Sequence, residues 1–167
     1  MADLGQILSL CAIPALCGAA VTDMRSRQVP NLLPALVAAA GLAARAASGD
    51  AIPSVLLAGG VFIVLYAFWR RGWFGGGDVK LLSACALLVP AGAVLALLLA
   101  VALSGGILAT VYLVLRTVPF LAASQLTRSP SAFQRVCKVE RWRIRRGAPL
   151  PYACAISVGC MFTLFAG

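Results

Sequence analysis

The sequence predicts an all-α fold: a polytopic bundle of about six membrane-spanning helices with both termini outside. Three observations predict it. Hydrophobic residues make up 62% of the chain and charged residues 11%, whereas soluble domains average about half apolar and about a quarter charged. Long uncharged runs recur along the sequence, and the basic residues between them fall almost entirely on one predicted side. A soluble globular domain is therefore not expected.

The first half of the chain contains three apolar runs that we interpret as membrane-spanning helices. Each crossing of the hydrocarbon core takes about 17 to 25 apolar residues. The runs extend from Leu4 to Val21, from Leu32 to Ala47 and from Ile52 to Trp69. Only Arg45 interrupts the second run, near its end.

The second half predicts three further spans. The uncharged stretch from Leu81 to Leu115 is too long for one crossing of about 30 Å at about 1.5 Å per residue, so it must fold into two helices. Helix breakers occur at Pro90–Gly92 and at Ser104–Gly106. We favour the first position, because the second helix then runs the full length from Ala93 to Leu115. A sixth span is predicted from Leu150 to Phe165.

Orientation follows from the basic residues between the spans, because short cytoplasmic loops collect Lys and Arg. With six spans, the opposite side carries only Arg45. The residues on the predicted cytoplasmic side are Arg25, Arg27, Arg70, Arg71, Lys80, Arg116, Arg128, Arg135, Lys138, Arg141, Arg143, Arg145 and Arg146. Both termini are therefore predicted outside, and the first helix is expected to be retained, since Met1–Asp3 lacks a basic signal-peptide region.

We treat residues 1–167 as a single integral-membrane domain that contains a cytoplasmic basic segment, residues 116–148. Within this segment, Ser131 to Gly147 is predicted to form an amphipathic helix with Phe133 and Val136 on its apolar side. Such a helix suits contact with an anionic lipid leaflet. The alternative is a determinant of topology that binds nothing specific.

The chain contains no histidine, which excludes a Ser-His-Asp triad and an HExxH zinc site. Its six cysteines form no CxxC pair and mostly lie in apolar stretches, so we interpret them as structural. No metal and no cofactor is expected. Of the five acidic residues, Asp3 and Asp50 are predicted to be solvated in the outer tail and outer loop. Glu140 is predicted to form a local pair in the basic helix.

The remaining acidic residues, Asp23 and Asp78, are predicted at the same membrane face. Asp23 lies at the cytoplasmic end of the first span and Asp78 at the cytoplasmic start of the fourth. Two carboxylates a few ångströms apart do not both ionise easily, so one keeps its proton. Such a dyad provides a base that activates water and an acid that assists a peptide carbonyl. This chemistry requires no histidine, metal or covalent intermediate.

The residues around each aspartate are consistent with a catalytic site. Gly75–Gly77 immediately precede Asp78, and residues without Cβ let a peptide backbone approach closely. We expect these glycines to form an irregular loop lining a cavity. The sequence after Asp23 predicts a turn directly following the acid.

Each aspartate also has a structural alternative. Asp23 is equally consistent with an interfacial ion pair to Arg25 or Arg27. Asp78 is equally consistent with a helix N-cap or with an ion pair to Lys80. Both alternatives holding at once is less expected than a dyad.

At these residues the chain resembles the type IV prepilin peptidase family of membrane aspartic proteases, the GxGD class. In the first motif of that family, an Asp is followed by basic residues and an Ile/Val-Pro-Asn sequence. The matching residues are Asp23, Arg25, Arg27, Val29, Pro30 and Asn31 in the first motif and Gly75, Gly77, Asp78, Val79 and Lys80 in the second. Pro151-Tyr152 and Ala155-Ile156 also resemble the start of the family's last span.

The resemblance implies that Asp23 and Asp78 are the catalytic pair of an aspartic endopeptidase. Its implied substrate is a prepilin whose short basic leader is cut on the cytoplasmic side of the bacterial inner membrane. The residues expected to bind substrate or support the site are Gly75, Gly76, Gly77, Lys80, Arg25, Arg27, Pro30 and Asn31. The expected partners are a prepilin-like protein and a bilayer with anionic lipids, with no nucleic acid.

One departure from the larger family members narrows the expected activity. Those members carry a further cytoplasmic domain with paired CxxC motifs and also methylate the new pilin terminus. The short predicted loop after the first span has no cysteine, so methyltransferase activity is not expected. The small size resembles peptidase-only members that serve Flp-type, tight-adherence pili, or archaeal-type preflagellin peptidases, and the missing domain favours the Flp-type interpretation.

Alternatives from other classes remain open. A small proton-coupled transporter also places acids in a membrane protein, but nearer the bilayer midplane. A non-enzymatic membrane scaffold explains the basic helix but not the glycines before Asp78. A presenilin-like intramembrane protease shares GxGD, although the motif around Asp23 fits prepilin peptidases better.

Overall fold

The computed structural model describes residues 2–117 and 150–166, and all regular elements in those ranges are helical. The predicted all-α class is therefore confirmed for this part of the chain. The predicted basic helix Ser131–Gly147 lies outside the described residues. The helices are α1 (Ala2–Leu10), α2 (Ile13–Ser26), α3 (Leu32–Ser48), α4 (Ala51–Arg70), α5 (Gly76–Leu88), a 3₁₀ turn (Ala91–Ala93), α6 (Val94–Thr117) and α7 (Tyr152–Ala166).

Three stretches of the described residues are long and apolar enough to cross a bilayer. They are Leu4–Ser26, which spans α1 and α2, Ala51–Arg70, and Ala91–Leu115. Two shorter apolar helices, Leu32–Ser48 and Tyr152–Ala166, accompany them. These lengths and compositions are those of a membrane helix bundle.

The long uncharged stretch divides at Pro90–Gly92, the position that the sequence favours. Helix α5 ends at Leu88, and Val89 adopts an extended conformation with φ −93° and ψ 156°. The residue before a proline is pushed out of the α region by the proline ring, so Pro90 ends the helix. The other candidate break, Ser104–Gly106, lies inside α6.

The first span is found as an apolar stretch long enough to cross a bilayer, Leu4–Ser26, but it differs from expectation in two details. The span is two helices, because α1 ends at Leu10 and α2 begins at Ile13. Pro14 stands in the first turn of α2, and its ring and missing N–H prevent a continuous helix through this point. The turn predicted directly after Asp23 is also displaced, since α2 continues to Ser26 and ends at Arg27 in the left-handed conformation, φ 56°.

Helix α5 lies at the centre of the bundle, where it packs against α3, α4 and α7. Its buried side chains include Leu81, Cys85 and Leu88. A Cβ added to Gly41 of α3 would lie 2.9 Å from the backbone of α5 at Leu87 and Leu88. This close approach is typical of membrane helices, which pack through small residues.

The end of the bundle opposite Asp23 contains a second buried charge. Arg45 is only 6% exposed, and its Nη1 lies 3.3 Å from Oδ2 of Asp50. Asp50, predicted to be a solvated carboxylate, is therefore partly exposed and also forms an ion pair with Arg45. Gly49, with φ 82°, turns the chain back after α3, so that Asp50 reaches the last turn of that helix.

Candidate active site

Asp23 lies in the last turns of α2, where it is 7% exposed. Its Oδ2 accepts a hydrogen bond of 3.1 Å from the backbone N–H of Ala153, in the first turn of α7. The first N–H groups of a helix have no partner within that helix. The Asp23 carboxylate satisfies one of them, and the positive end of the α7 dipole stabilises its negative charge.

Two further hydrogen bonds join α7 to α2. The Ser157 hydroxyl donates to the Leu16 carbonyl oxygen at 2.9 Å, and the Cys154 thiol donates to the Ala20 carbonyl oxygen at 3.4 Å. Together with the Ala153 bond, they join three successive turns of α2 to the first two turns of α7. The position of Asp23 relative to α7 is therefore set along the helix and not only at its end.

Asp78 is the third residue of α5 and is partly buried. It precedes Leu81, where the apolar run of this helix begins. Burial and repulsion from the Asp23 carboxylate raise the pKa of Asp78 from its ordinary value of 3.8 to about 6. The structure thus brings the carboxylates predicted from the sequence close enough to influence each other's ionisation.

The glycines before Asp78 have a role different from the one expected. Gly76 and Gly77 belong to α5, and only Gly75 is extended, with φ −73° and ψ 139°. The predicted irregular loop is therefore wrong for two of its three residues. A Cβ on Gly75 would lie 2.8 Å from Oδ2 of Asp78. The absence of a side chain at Gly75 leaves room for the carboxylate itself.

The two motifs contact each other beside the aspartates. The Lys80 ammonium donates a hydrogen bond of 2.9 Å to Oδ1 of Asn31, the residue before α3. A Cβ on Gly77 would lie 3.3 Å from Cβ of Val29. The connection after α2 is thereby attached to the first turns of α5, and both α2 and α5 pack against α7.

These contacts decide the alternatives for Asp78. The residue that precedes α5 is Gly75, and Asp78 stands inside the helix, so it is not the N-cap. In residues 2–117 and 150–166, the Lys80 ammonium bonds Asn31 and forms no ion pair with Asp78.

The remaining predicted residues lie around this contact. Gly76 packs against Trp69, with 3.2 Å between an added Cβ and the indole Nε1. Pro30 and Arg25 are exposed, and Arg27 ends α2. Arg25 and Arg27 lie within about one turn of Asp23. Their expected effect on the electrostatic field at the two aspartates stays a prediction.

The sequence analysis missed the contribution of Tyr152 to the site. Its ring packs edge-on against Phe74, with 5.7 Å between centroids and an interplanar angle of 89°. A Cβ on Gly105 of α6 would lie 3.0 Å from the Tyr152 ring. Tyr152 also interacts electrostatically with Asp78. The pair Pro151-Tyr152, at the same predicted face as both aspartates, was the signal in the sequence.

The chemistry open to the two carboxylates follows from their ionisation. Within the described residues, no three Asp, Glu or Cys side chains form a cluster that could hold a metal. A protonated carboxyl beside an ionised one is suited to general acid–base hydrolysis.

Comparison with known protein families places this site in context. Residues 10–110 match the family model of the type IV leader peptidases. The match covers more than half of the chain and includes both aspartates, the three glycines and the Asn31–Lys80 pair. No curated protein and no solved structure matches the chain. By its family match, the chain belongs to the type IV leader peptidase family.

Proposed function

We propose that the protein is a membrane aspartic endopeptidase that removes the short leader of prepilin-like precursors at the cytoplasmic membrane face. The family is one of peptidases, which favours this function over a transporter or a scaffold. The observation that carries the proposal is the proximity of Asp23 to Asp78, because burial of Asp78, together with repulsion from Asp23, raises the pKa of the Asp78 carboxyl to about 6. Perturbed carboxyl pairs in polar sites are typical of catalysis.

The two aspartates take different roles in the proposed mechanism. Asp23 is the base, since the N–H of Ala153 stabilises its ionised form. It accepts a proton from a water molecule, whose oxygen forms a bond to the scissile carbonyl carbon. Asp78 is the acid and donates a hydrogen bond, then its proton, to the carbonyl oxygen.

Collapse of the tetrahedral intermediate completes the reaction. The carbon–nitrogen bond breaks, the leaving amine takes the proton that Asp23 had accepted, and Asp78 recovers its own proton as the carboxyl group forms. Both side chains return to their starting states. The reaction consumes one water molecule and uses no metal or cofactor.

The placement of the dyad suits a membrane-anchored substrate. Asp23 and Asp78 stand at helix ends, beside exposed polar residues such as Lys80 and Arg25. An apolar helix inserted in the bilayer presents the bond that precedes it at this depth. We propose six crossings with both termini outside, in the bacterial inner membrane. The basic segment then faces anionic lipids of the cytoplasmic leaflet.

The proposed substrate class is the Flp-type prepilin of tight-adherence pili. Only residues 27–31 connect α2 to α3, and they include no cysteine. This connection has no room for the CxxC domain that the resemblance associates with methylation. The proposed activity is therefore leader cleavage alone, as a step in pilus biogenesis and protein secretion.

The direct test is cleavage of a co-expressed Flp-type prepilin, followed by the gel shift of the product. Wild type is expected to cleave, whereas Asp23→Asn and Asp78→Asn are each expected to lower the rate by about 10³-fold. Asp50→Asn is the matched control, since it changes another carboxylate at the opposite end of the bundle. Membrane levels of all variants are measured by immunoblot. Full processing by either dyad variant removes that residue from the mechanism.

The position of the cut separates leader peptidases from intramembrane proteases. N-terminal sequencing of the product is expected to locate the cut before the apolar helix of the precursor. A cut within that helix contradicts the proposal and favours a presenilin-like activity.

A further inference from the structure

Two consecutive residues at the start of α7 face the two halves of the dyad. The backbone N–H of Ala153 donates its 3.1 Å hydrogen bond to Oδ2 of Asp23. The Tyr152 ring packs edge-on against Phe74, with 5.7 Å between centroids, and Phe74 is four residues before Asp78. Tyr152 also interacts electrostatically with Asp78. The start of α7 therefore holds Asp23 through its backbone and lies beside Asp78 through a side chain.

The segment that leads to Asp78 is attached to α7 by a row of aromatic rings. The Phe74 ring stacks on Phe68 of α4, with 6.3 Å between centroids and an interplanar angle of 22°. Phe74 and Tyr152 both pack against the buried core. Stacked and edge-on contacts are the favoured geometries of aromatic pairs. Phe68, Phe74 and Tyr152 thus join the end of α4 to the start of α7, and Gly75 follows Phe74 directly.

The Tyr152 ring also rests on α6, at a glycine. A Cβ added to Gly105 would lie 3.0 Å from Cε2 of Tyr152, and 3.6 Å from both Cζ and the hydroxyl oxygen. Gly105 is buried, whereas the neighbouring Gly106 is exposed, and a Cβ added to Gly106 would contact nothing within 4 Å. The position of the ring therefore depends on the absence of a side chain at Gly105.

We propose that Tyr152 is a positioning residue of the aspartate pair, whose ring fixes the place of Asp78 relative to Asp23 and keeps water from the Asp78 carboxyl. The inference rests on the proposed function and adds a residue that acts on the reaction through Asp78. Tyr152 and Ala153 are adjacent, so a movement of the start of α7 reaches both aspartates together. A displacement of about 1 Å at a reacting group lowers the rate about 10²-fold, so even a small movement of the ring matters.

The shielding of Asp78 by the ring has a consequence for its ionisation. Burial raises the pKa of Asp78 more than repulsion from Asp23 does, and together they bring it to about 6. Without the Tyr152 ring, water reaches the carboxyl and favours its ionised form, so its pKa falls toward the ordinary value of 3.8. The proposed acid must be protonated. The decline of kcat/KM with rising pH therefore begins at lower pH when the ring is removed.

Other charged groups near α5 do not explain such a shift. In the described residues, the titratable groups that act with Asp78 from neighbouring helices are Asp23 on α2 and Tyr152 on α7, and a phenol stays neutral below about pH 9. The basic residues of α3, α4 and α5 either bond other side chains or are exposed: Arg45, Arg70, Arg71 and Lys80.

Two substitutions at Tyr152 separate its ring from its hydroxyl. Tyr152→Ala removes the ring and is expected to lower kcat for the Flp-type precursor by about tenfold or more. The decline of kcat/KM should also move to lower pH. Tyr152→Phe keeps the ring and is expected to recover the wild-type pH profile and most of the rate. A wild-type pH profile in Tyr152→Ala overturns the proposal. Equal losses in both variants also overturn it, because they assign the effect to the hydroxyl.

Gly105 and Gly106 provide a milder, matched pair of variants. Gly105→Ala pushes the ring by a few tenths of an ångström and is expected to lower kcat about threefold, whereas Gly106→Ala should match wild type. The three atoms nearest to the added Cβ all belong to Tyr152, so Gly105→Ala should cause no further loss in a Tyr152→Ala background. Thermal unfolding in detergent checks that each variant is folded. If Tyr152→Ala unfolds, equal rates for the two glycine variants overturn the proposal.

An infrared titration measures the ionisation of Asp78 without any substrate. The carbonyl stretch of protonated carboxyl groups is followed against pH in the purified full-length protein, and Asp78→Asn assigns the band. The midpoint is expected at about 6 in wild type, at lower pH in Tyr152→Ala, and unchanged in Tyr152→Phe. Equal midpoints in wild type and Tyr152→Ala contradict the positioning role, whatever the activity. If wild type cleaves no prepilin but the midpoint shifts as expected, the proposed function fails and the effect of Tyr152 on Asp78 stands.

Discussion

The two ends of the bundle each contain carboxylates in partly or fully buried surroundings, and the structure treats them in opposite ways. At one end, Asp50 faces the guanidinium of Arg45, so opposite charges lie together. At the other, Asp78 faces Asp23, and their repulsion adds to the effect of burial on Asp78. An ion pair lowers the free-energy cost of burying the two charges, whereas a pair of like charges raises that cost.

This difference separates a structural charge pair from the pair to which we assign a function. The Arg45–Asp50 pair closes the turn between α3 and α4 and needs no further purpose. The Asp23–Asp78 pair opposes folding whenever both groups are ionised, so its retention requires another explanation, and acid–base chemistry provides one. The variants that follow either disrupt the end that contains Asp23 and Asp78, or test whether a change at the opposite end leaves cleavage unaffected.

Apart from the dyad variants themselves, the largest effect is expected from Gly75→Ala. The added Cβ would lie 2.8 Å from Oδ2 of Asp78, so the carboxylate has to move. A displacement of about 1 Å at a reacting group lowers the rate about 10²-fold. Steady-state cleavage of the precursor measures the loss. Gly60→Ala is the control, because its Cβ meets nothing within 4 Å. Similar rates for both variants would show that Asp78 tolerates the shift.

The next effect is the pH dependence of cleavage. The proposed acid, Asp78, must be protonated, and its pKa is about 6. As the pH rises through this value, we expect kcat/KM to fall, reaching about one tenth at pH 7. The apparent value belongs to the coupled pair. Bound substrate excludes water from Asp78, so the fall in kcat should occur at higher pH. A kcat/KM that rises between pH 6 and 8 contradicts this assignment.

A smaller effect is expected at the contact between the two motifs. Asn31→Ala and Lys80→Ala each remove the 2.9 Å hydrogen bond, which is worth about 1 kcal/mol, or about fivefold in rate. Because both changes break the same bond, the double variant should be no slower than the slower single variant. A double-mutant cycle of kcat measures the coupling. Independent, multiplicative losses would show that the two side chains act separately.

The smallest effect on activity is expected at the opposite end. Asp50→Asn leaves the buried Arg45 without its ion pair, and we expect a loss of about 1 to 2 kcal/mol in stability, since Asp50 is partly exposed. Thermal unfolding in detergent measures this loss, and cleavage should stay within twofold of wild type. A large loss of activity at unchanged stability would link the two ends of the bundle.

Much of the architecture follows from elementary properties of the sequence. The uncharged stretch from Leu81 to Leu115 must divide, and Pro90 divides it because a proline breaks the helix whatever its surroundings. The pairing of Asp23 with Asp78 also follows, since both acids end or begin apolar runs on the same side. In both cases the local sequence and the length of a membrane crossing predict the same structure.

Other features depend on contacts between distant residues. Gly75–Gly77 suggest a loop by composition, yet Gly76 and Gly77 are helical, and Trp69 and Val29 pack closely beside them. The hydrogen bond from Ala153 to Asp23 involves a backbone group, which every residue except proline has, so no side chain in the sequence indicates it. The Arg45–Asp50 pair was missed because it depends on the turn at Gly49.

The three hydrogen bonds between α7 and α2 have a consequence for the synthesis of the protein. The residues they join are separated by 130 to 141 positions. The base of the dyad is therefore oriented only after the ribosome has released α7 and the membrane has accepted it. Under the proposed mechanism, a growing chain that already contains both aspartates is still inert, and cleavage begins only when the late helix docks.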